Sequence, residues 1–574
     1  MNIFEIYLKK LQDLIIKNFK DLNIESKINF DGVVIETPPQ EFNFDLSTNI
    51  ALVLAKKSKQ SPVKLADLIK KLIQKNLDDF SDIEVVGPGF INFRFTSKIY
   101  QKLIVSILKA KDKYGSNNKK DKYNIEFVSA NPTGPMHIGH LRGAIFGDVL
   151  ANLLMFNGNS VTKEYYINDY GNQIVNFSES VFYRLREIKF NEKFVKRENL
   201  YPGDYVVDIA KKILFEIPKI DLSDFKKIFN ILSQESLKHS MKLIKSDLKS
   251  LGISHDNFVS ETTLVKKNLV ENSIKYLKDK KFVEEGYLNP PKGKNNKDWK
   301  KTKRLIFKST LFGDDTDRAL QKDDGTWTYF ANDIGYHADK ISRNYNYLIN
   351  ILGADHTGYI KRITAATKAL SDNKTSLICK VCQLVKLFKG GQPYKMSKRS
   401  GDFISVRELL DEVDKDSIRF MMLNRSNDVE LDFDFDKVLE KTRENPVFYV
   451  QYCYARISSL FRTLEINSYS DFEIDEINFQ FNEHETNLLR KILGWPKVID
   501  TASNKFEPHR IPFYLYDLAI LFHAYWSKGN EDSKYKFIQN GKIKNKNSLL
   551  IIKLVSLIIE NGMKISGVSL PTKM

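Results

Sequence analysis

The chain has 574 residues, of which 42% are hydrophobic and 28% charged. One hydrophobic core does not serve a chain this long, so several domains are expected, and the ordinary globular composition excludes a mainly disordered protein. The 89 basic and 72 acidic side chains leave a net charge of +17, which favours a polyanionic partner. Charge alone does not establish nucleic-acid binding, because charged runs are usually solvated surfaces.

The sequence predicts a cytoplasmic protein without a membrane segment. Three cysteines in so long a chain favour a reducing compartment without disulfides. The most apolar stretch, 549–559, is interrupted by Lys553 and is shorter than the roughly 20 apolar residues that a bilayer requires. The N-terminus predicts an amphipathic helix rather than a signal peptide, with apolar residues three or four apart: Phe4, Leu8, Leu11, Ile15 and Phe19.

The first part of the chain, 1–112, is typical of a separate α/β module. After the N-terminal helix, the pattern predicts a strand near 33–35, a helix over 49–57 and a strand over 90–95. The polar run 111–122 has the composition of a linker, so we expect a domain boundary near 112–121.

From 121 to 445 the pattern changes to alternating strands and helices. Strands are predicted at 124–130 and 161–167, with a helix over 141–156 between them. This βαβ unit implies a parallel sheet with a right-handed crossover. A mostly helical insertion is expected around 175–310, and its basic run 292–304 is predicted to be an exposed loop. Strands return at 347–352 and 377–388, and from about 414 the chain is predicted to be helical to its end.

Residues 131–140, here called the first motif, read Asn-Pro-Thr-Gly-Pro-Met-His-Ile-Gly-His and mark a strand, a turn and the start of a helix. A helix N-terminus attracts phosphate, and Gly139 allows close approach of the backbone. His137 and His140 are placed to hydrogen-bond phosphate oxygens during a displacement. Alternatively they are surface or metal-binding histidines, although two histidines without a nearby Glu or Cys make a poor zinc site. The motif also occurs in nucleotidylyltransferases, so it predicts nucleotidyl transfer and leaves the acceptor open.

Residues 391–401, the second motif, contain Lys395-Met396-Ser397-Lys398-Arg399 between glycines. Such a loop is suited to closing over the β- and γ-phosphates of ATP and neutralising the departing pyrophosphate, with Mg²⁺ bridging. In isolation the same loop is more often simply solvated. In this order, the two motifs resemble the phosphate-handling elements of class I aminoacyl-tRNA synthetases.

Four further segments resemble arginyl-tRNA synthetases, particularly bacterial ones: 126–134, 164–173, 324–337 and 353–359. The resemblance covers nearly the whole chain. It implies an α/β protein with a Rossmann-like parallel-sheet catalytic domain and helical insertion, an N-terminal α/β module that contacts the tRNA elbow, and a C-terminal all-α anticodon-binding domain at 446–574. It also implies ATP-dependent ligation of L-arginine to tRNA(Arg) through arginyl-adenylate, releasing AMP and pyrophosphate, by an enzyme expected to be monomeric. The family commonly requires tRNA for the first step.

The resemblance also assigns the site residues. Catalytic roles fall to His137, Gly139, His140, Lys395 and Lys398. The ATP-binding residues it implies are Asn131, Pro132, Thr133, Gly134, His137, Ile138, Gly139, His140, Gly353, Asp355, His356, Lys395, Met396, Ser397, Lys398 and Arg399. The arginine-binding residues are Glu126, Ser129, Asn131, His140, Glu261, Tyr329, Asp333 and His356.

The chemistry of guanidinium agrees with this assignment. It is a permanently charged planar fork, and its discrimination from lysine requires carboxylates that accept parallel N–H bonds. Glu261 and Asp333 meet that requirement, although a lone carboxylate is more commonly a helix cap or a surface ion pair. Tyr329 lies four residues before Asp333, so the two share a face if the segment is helical.

The chain departs from many members of the family in one respect. They combine a degenerate second motif with a compensating lysine just before the first, whereas this chain has an intact second motif and Thr133-Gly134. The phosphate charge is therefore assigned to Lys395 and Lys398. No metal site is predicted in the protein itself, because Cys379 and Cys382 lack a second pair and lie in a β-prone run typical of a core.

RNA contacts are predicted at both ends of the chain. The string 416–420, Asp-Ser-Ile-Arg-Phe, resembles one that the family carries in its anticodon-binding domain. Aromatic residues beside basic residues follow it, and such pairs are suited to stacking on unpaired bases. Aromatic residues at helical spacing are, however, more often part of a hydrophobic core. The residues assigned to tRNA binding are Asn49, Phe90, Asn92, Tyr449, Tyr452 and Arg456. Two alternatives remain, a non-catalytic RNA-binding paralogue and a small-molecule nucleotidylyltransferase. The first is disfavoured because the chain retains both phosphate motifs and the RNA-binding domain, and the second because it would not need the C-terminal third.

Overall fold

The computed structural model of the protein describes residues 2–24, 28–58, 60–195, 197–288, 302–394, 404–466 and 479–574. The chain divides into two units, one formed by Met1–Asn118 with Lys441–Met574 and the other by Lys119–Glu440. The division into three domains at 112–121 and 445–446 stays a prediction. Among the described residues, no helix has the length and apolarity that crossing a membrane requires.

The N-terminal part of the first unit packs helices on an antiparallel sheet. Its helices are α1 (Ile3–Lys17), α2 (Ile50–Ser58), α3 (Pro62–Asn76) and α4 (Ser97–Ala110), and its strands are β1 (Ile35–Glu36), β2 (Leu46–Thr48), β3 (Phe80–Val86) and β4 (Phe90–Phe95). The strand order is β1-β2-β4-β3. The predicted amphipathic helix and the strand at 90–95 are confirmed. Asn2 and Ser61 cap α1 and α3 by accepting backbone N–H bonds, which fixes where each helix begins.

The second unit begins with a βαβ unit and continues through the helical insertion. Its first elements are β5 (Lys122–Glu126), α5 (Ile138–Phe156), β6 (Ser160–Ile167), α6 (Asn172–Phe190), α7 (Asp204–Glu216), α8 (Phe225–Ser250), β7 (Asn257–Ser260), α9 (Glu261–Lys266), α10 (Leu269–Asp279), β8 (Val283–Gly286), β9 (Arg304–Phe307) and β10 (Arg318–Ala319). The rest of the unit comprises α11 (Tyr329–Ser342), β11 (Tyr347–Gly353), α12 (Ile360–Leu370), β12 (Ser376–Cys382), β13 (Val385–Lys389), β14 (Gln392–Pro393), α13 (Val406–Glu412), α14 (Lys415–Met422), β15 (Leu431–Asp434) and α15 (Phe435–Leu439).

A five-stranded parallel sheet in the order β12-β11-β5-β6-β7 forms the centre of this unit. The chain adds strands to one side of β5 first and then to the other, so the order reverses between β5 and β11. The predicted α/β fold with a parallel sheet and the βαβ unit is therefore confirmed. In open sheets of this kind, ligands bind at the carboxyl ends of the strands where the order reverses.

Four details differ from the sequence predictions. The chain from about 414, predicted to be helical to its end, contains the strand β15, which pairs with β13. The strand predicted at 124–130 ends at Glu126, because Val128 and Ser129 take positive φ angles of 70° and 39° that no strand accommodates. The mostly helical segment 175–285 contributes β7 to the edge of the sheet. The run 377–388 forms β12 and β13, which belong to different sheets.

The C-terminal part of the first unit is mainly helical. Its elements are α16 (Pro446–Thr463), α17 (Glu483–Lys505), α18 (Arg510–Glu531), β16 (Ile538–Gln539), β17 (Lys542–Ile543) and α19 (Lys546–Ser566). Within this unit, the buried Arg490 of α17 pairs with the buried Asp45 at 2.7 Å, and the Tyr100 hydroxyl donates to the same carboxylate at 2.7 Å. Buried ion pairs of this kind are costly to break, because removing one partner leaves an uncompensated charge.

Candidate active site

The predicted site residues collect at the carboxyl edge of the parallel sheet. Glu126 is the last residue of β5, Gly353 is the last of β11, and Glu261 directly follows β7. Because these strands are parallel, their ends meet at one edge, next to the point where the strand order reverses.

The first motif forms the N-terminus of α5, and its two histidines cap the helix reciprocally. His137 is the N-cap residue, and its Nδ1 accepts from the Gly139 N–H at 3.1 Å. His140 Nδ1 accepts from the His137 N–H at 3.3 Å, and the two ring centroids are 3.9 Å apart. Glycine is required at 139, since a Cβ there would lie 2.9 Å from His137 Cε1.

This capping fixes the protonation of both rings. Each Nδ1 accepts a hydrogen bond, so each neutral ring carries its proton on Nε2, the nitrogen that can donate. Burial lowers the pKa of His137 and lowers that of His140 to about 3, with His137 adding to the second shift. At neutral pH the helix N-terminus therefore presents two neutral N–H donors rather than two cations.

The backbone before α5 is held by the second unit's own helices. The Met136 N–H donates to Asp247 of α8 at 3.1 Å, and Asp247 also accepts from Arg407 Nε at 3.2 Å. The Thr133 carbonyl accepts from the Tyr205 hydroxyl at 2.9 Å. Of the other residues predicted to bind ATP here, Pro132 is buried, Gly134 and Ile138 are half-buried, and Asn131 is exposed.

The segment after the second motif pairs with the first. Ile138 N–H donates to the Ile404 carbonyl at 2.9 Å, and Val406 N–H donates to the Met136 carbonyl at 3.0 Å. His137 and Ser405 form an isolated antiparallel bridge between these bonds. Residues 395–399, which include Lys395, Met396, Ser397, Lys398 and Arg399, lie outside the described residues. The chain that follows them nevertheless returns to the N-terminus of α5.

Within the part of the chain that the structure describes, two carboxylates beside the first motif lack a cationic partner of their own. Glu261 is 5% exposed and accepts from Asn332 at 2.9 Å, and burial raises its pKa to about 7. Asp333 accepts from the Tyr359 hydroxyl, and burial, together with the charges of Glu126 and Glu261, raises its pKa to about 7. A permanently charged cation bound between them would lower both pKa values.

Glu126 and Glu164, at the same edge, each pair with a cation of the fold. Glu126 pairs with the fully buried Lys340 at 2.5 Å and accepts from the Ser129 hydroxyl at 3.2 Å. Glu164 is buried and pairs with Arg343; although burial opposes the shift, this pairing and the nearby Lys340 lower its pKa to about 2. Of these four carboxylates, only Glu261 and Asp333 have no cationic partner among the described residues.

Three predicted residues lie at the rim of the site. Tyr329 begins α11, so it shares a helix face with Asp333 as expected, but it is 77% exposed. His356 and Asp355 follow β11 and are also exposed, with His356 Nε2 3.4 Å from Asp355. The structure thus groups Glu126, Ser129, Glu261 and Asp333 closely and leaves the rim side chains open to solvent.

Comparison with known proteins gives the family. Residues 103–459 match the model of the class I (R) tRNA synthetase catalytic domain, 9–95 that of the arginyl-tRNA synthetase N-terminal domain, and 450–574 that of the DALR anticodon-binding domain. A Pelagibacter ubique protein named arginine–tRNA ligase is 52% identical over 577 residues, covering 100% of both chains. The chain belongs to the arginyl-tRNA synthetase family. The prediction of a class I arginine–tRNA ligase that uses ATP is confirmed.

Further similarities agree with this family. A protein of the same name from Parvibaculum lavamentivorans is 43% identical over 582 residues, covering 100% of both chains. A solved structure from Campylobacter jejuni shares 32% identity at a TM-score of 0.73, covering 84% of this chain and 100% of that one. The Thermus thermophilus arginyl-tRNA synthetase shares only 19% identity at a TM-score of 0.72, covering 99% of this chain and 100% of that one, and so supports the fold alone.

Several pocket residues of this synthetase were not assigned from the sequence. Burial and the nearby charge of Glu261 raise the pKa of Tyr166. Asp169 accepts from the Ser260 hydroxyl at 2.6 Å and the Thr262 N–H at 2.9 Å, which fixes the turn at Glu261. Both lie in the segment 164–173 that carries the family resemblance, as Tyr359 lies in 353–359. The segments were therefore found, but the individual roles require the contacts.

The residues predicted to bind tRNA differ in how far they are exposed to solvent. In the N-terminal module, Asn49 accepts from Val34 N–H at 2.8 Å and donates to the Gly32 carbonyl at 3.0 Å, so it orders a turn. Phe90 is 40% exposed, whereas Asn92 lies within β4 at 3% exposure, away from the surface.

In the C-terminal helical part, the three predicted residues form one cluster on α16. Arg456 donates to the Tyr452 hydroxyl at 2.8 Å and stacks over its ring at 4.2 Å. Arg456 also contacts His523 Nδ1 at 3.1 Å, and the ring of Tyr449 lies 4.2 Å from that of His523. All three predicted side chains are half-buried, so each exposes part of its surface.

Proposed function

We propose that the chain joins L-arginine to tRNA(Arg) in two steps, through an arginyl-adenylate. The observation that carries the proposal is the pair of uncompensated carboxylates, Glu261 and Asp333, at the same sheet edge as the phosphate-binding helix terminus. One edge thus offers a site for a planar cation and a site for phosphate.

In the first step, the carboxylate of arginine attacks the α-phosphate of ATP and pyrophosphate leaves. His137 and His140 donate Nε2–H bonds to phosphate oxygens, because their Nδ1 atoms are committed to the helix cap. Donors fixed in advance toward developing charge stabilise a transition state without reorganisation. Lys395 and Lys398 are proposed to neutralise the β- and γ-phosphates.

The site residues fit an ion that arrives with the nucleotide. Mg²⁺ is commonly held by substrate phosphates and water with few protein ligands. The carboxylate bonded to the first motif, Asp247, is already engaged by Met136 and Arg407, so it is not offered as a ligand. Bound in this way, Mg²⁺ would neutralise phosphate charge.

In the second step, the terminal adenosine of tRNA takes the arginyl group, by family resemblance through its 2′-hydroxyl. The DALR domain match at 450–574 supports anticodon binding by the C-terminal helical part. We assign the cluster of Tyr449, Tyr452 and Arg456 to stacking on unpaired bases. The cytoplasmic location and the monomeric state stay predictions, to be checked by cell fractionation and by light scattering.

The test is ATP–pyrophosphate exchange with each amino acid, with and without tRNA. We expect exchange with arginine only, dependent on tRNA. Robust exchange with another amino acid and none with arginine would contradict the specificity.

Two variants distinguish catalysis from RNA binding alone. His137→Ala and Lys398→Ala are expected to lose charging activity, while Lys386→Ala, an exposed lysine paired with Glu430, serves as the matched control. Charging at the wild-type rate by either variant would contradict the catalytic role assigned to that residue, and binding of tRNA without charging by the wild-type protein would favour the non-catalytic alternative.

A further inference from the structure

A second cluster of charged side chains lies in the helical insertion, on α7 and α8. Glu216 is the last residue of α7, and Glu235 and His239 are four residues apart on α8, so they share one face of that helix. One ligand atom from each of the three lies within 4.8 Å of the others. None of these residues belongs to the active site described above.

His239 is the decisive member of the cluster. It is 4% exposed, yet its Nε2 makes no hydrogen bond of normal geometry with any described residue. The atom instead faces Glu216 Oε2 at 3.4 Å and Glu235 Oε2 at 4.0 Å. Buried polar nitrogens usually have a hydrogen-bond partner.

The cluster already holds a positive charge at this position. Lys238 Nζ donates to Glu216 Oε2 at 2.9 Å and to Glu235 Oε2 at 2.7 Å, the same two oxygens that face His239. The Lys238 side chain is 46% exposed, so its ammonium can withdraw into water. The C-terminus of α7 adds negative potential, whereas Lys242 opposes a second cation.

The donor set and its spacing match a borderline divalent metal. Bonds of about 2.1 Å at the tetrahedral angle place ligand atoms about 3.4 Å apart. The two distances from His239 are 3.4 and 4.0 Å, and all three ligand atoms lie within 4.8 Å of one another. One imidazole with two carboxylates suits Zn²⁺ better than Mg²⁺ or Ca²⁺, which prefer oxygen ligands alone.

The helices that carry the ligands are firmly packed. Ile213 of α7 and Leu232 of α8, each three residues before a ligand, are fully buried in the core formed by α6, α7 and α8. The ligands therefore stand on a rigid scaffold, which metal sites require.

We propose that Glu216, Glu235 and His239 bind one Zn²⁺ ion, with water completing the coordination, and that the metal joins the end of α7 to α8 by displacing the ammonium of Lys238. This site is independent of the aminoacylation chemistry proposed above.

The test is Zn²⁺ titration of the untagged, chelator-treated full-length protein, by calorimetry or by competition with a chromophoric chelator. We expect one saturable site. His239→Gln and Glu216→Gln should each weaken it by at least about tenfold. Lys238→Ala should strengthen it, because the competing charge is removed. His484→Gln, which alters a histidine of α17, is the matched control and should leave the affinity unchanged.

The outcomes separate the metal site from a simple ion bridge. Glu216 lies at a helix end and is exposed, so Glu216→Gln tests the ligand set even if His239→Gln fails to fold. Absence of saturable binding in both wild type and Lys238→Ala overturns the proposal and leaves a Lys238-centred ion bridge. Equal affinity in wild type and Glu216→Gln overturns it as well.

Discussion

Replacing Asp333 by asparagine should lower the activity of the enzyme with arginine and raise the stability of the ligand-free protein. The asparagine side chain would keep an oxygen that accepts from Tyr359 while losing the charge proposed to hold the guanidinium. Removing one partner of a buried charge pair costs about 3–5 kcal/mol, and about 1.4 kcal/mol corresponds to a factor of ten. We therefore expect kcat/KM for arginine to fall by about 100- to 4000-fold, with the KM for ATP nearly unchanged.

The same change should stabilise the ligand-free protein. The pKa of Asp333 is raised from 3.8 to about 7, so the folded state binds its proton more tightly than the unfolded state. A raised carboxylate pKa gives stability that is present below the unfolded value and is lost as pH rises through about 7. At pH 8 the ionised group costs up to about 4 kcal/mol, and Asp333→Asn removes that cost.

The assays are steady-state charging with arginine varied and thermal unfolding at pH 8 without ligands. Asp372→Asn, at an exposed aspartate that pairs with Lys280, is the matched control. Arginine kcat/KM within about threefold of wild type would refute the assignment of Asp333 to the guanidinium. A lower unfolding temperature for Asp333→Asn would refute the account of its buried charge.

Four further changes test other parts of the site. The pKa values of Glu261 and Asp333 are both raised to about 7, so both carboxylates gain protons between pH 7.5 and 6. The Kd for arginine, measured by calorimetry, should therefore rise steadily over this range, while the Kd for ATP stays constant. An arginine Kd that does not change with pH would contradict the assignment of these two residues. His140→Asn, which can keep the cap but loses the Nε2–H donor, should slow single-turnover adenylation by about 10²–10³, and an unchanged rate would exclude that donor. Arg343→Met should lower the unfolding free energy of the second unit by about 3–5 kcal/mol, since it leaves Glu164 unpaired, and a stable variant would show that Glu164 is compensated otherwise. Tyr452→Ala should raise the KM for tRNA, with a stacking loss of about 1–3 kcal/mol, while arginine affinity stays constant; an unchanged KM would remove Tyr452 from the RNA contact.

Local patterns predicted the elements that position the first motif. The strand at 161–167 and the helix over 141–156 correspond to β6 and α5 within a few residues. They were readable because β-branched and aromatic runs and helical periodicity act over short distances. The end of β5 was not predicted, because Val128 is a β-branched residue that favours a strand, yet it takes a positive φ angle.

Most of the features that could not be predicted from the sequence depend on contacts between residues far apart in the chain. Glu164 and Arg343 are 179 residues apart, and nothing near either residue identifies the other as its partner. The strand β7 is similarly hidden in a helical region, since its four residues gain their strand character from pairing with β6. Tyr359 lay in a recognised segment, yet its contact with Asp333 depends on how separate elements meet.

The distribution of compensating charge gives a physical basis for choosing arginine over lysine. Glu126 pairs with Lys340 and Glu164 pairs with Arg343, so the charges of these two carboxylates are neutralised within the protein. Glu261 and Asp333 lie on different helices, so one ligand must reach two separate acceptors. A guanidinium has five donors spread along a rigid fork, whereas an ammonium concentrates three donors at one point. Lysine would leave one carboxylate without a charged donor, and that unpaired group, rather than any loss of net charge, would reject it.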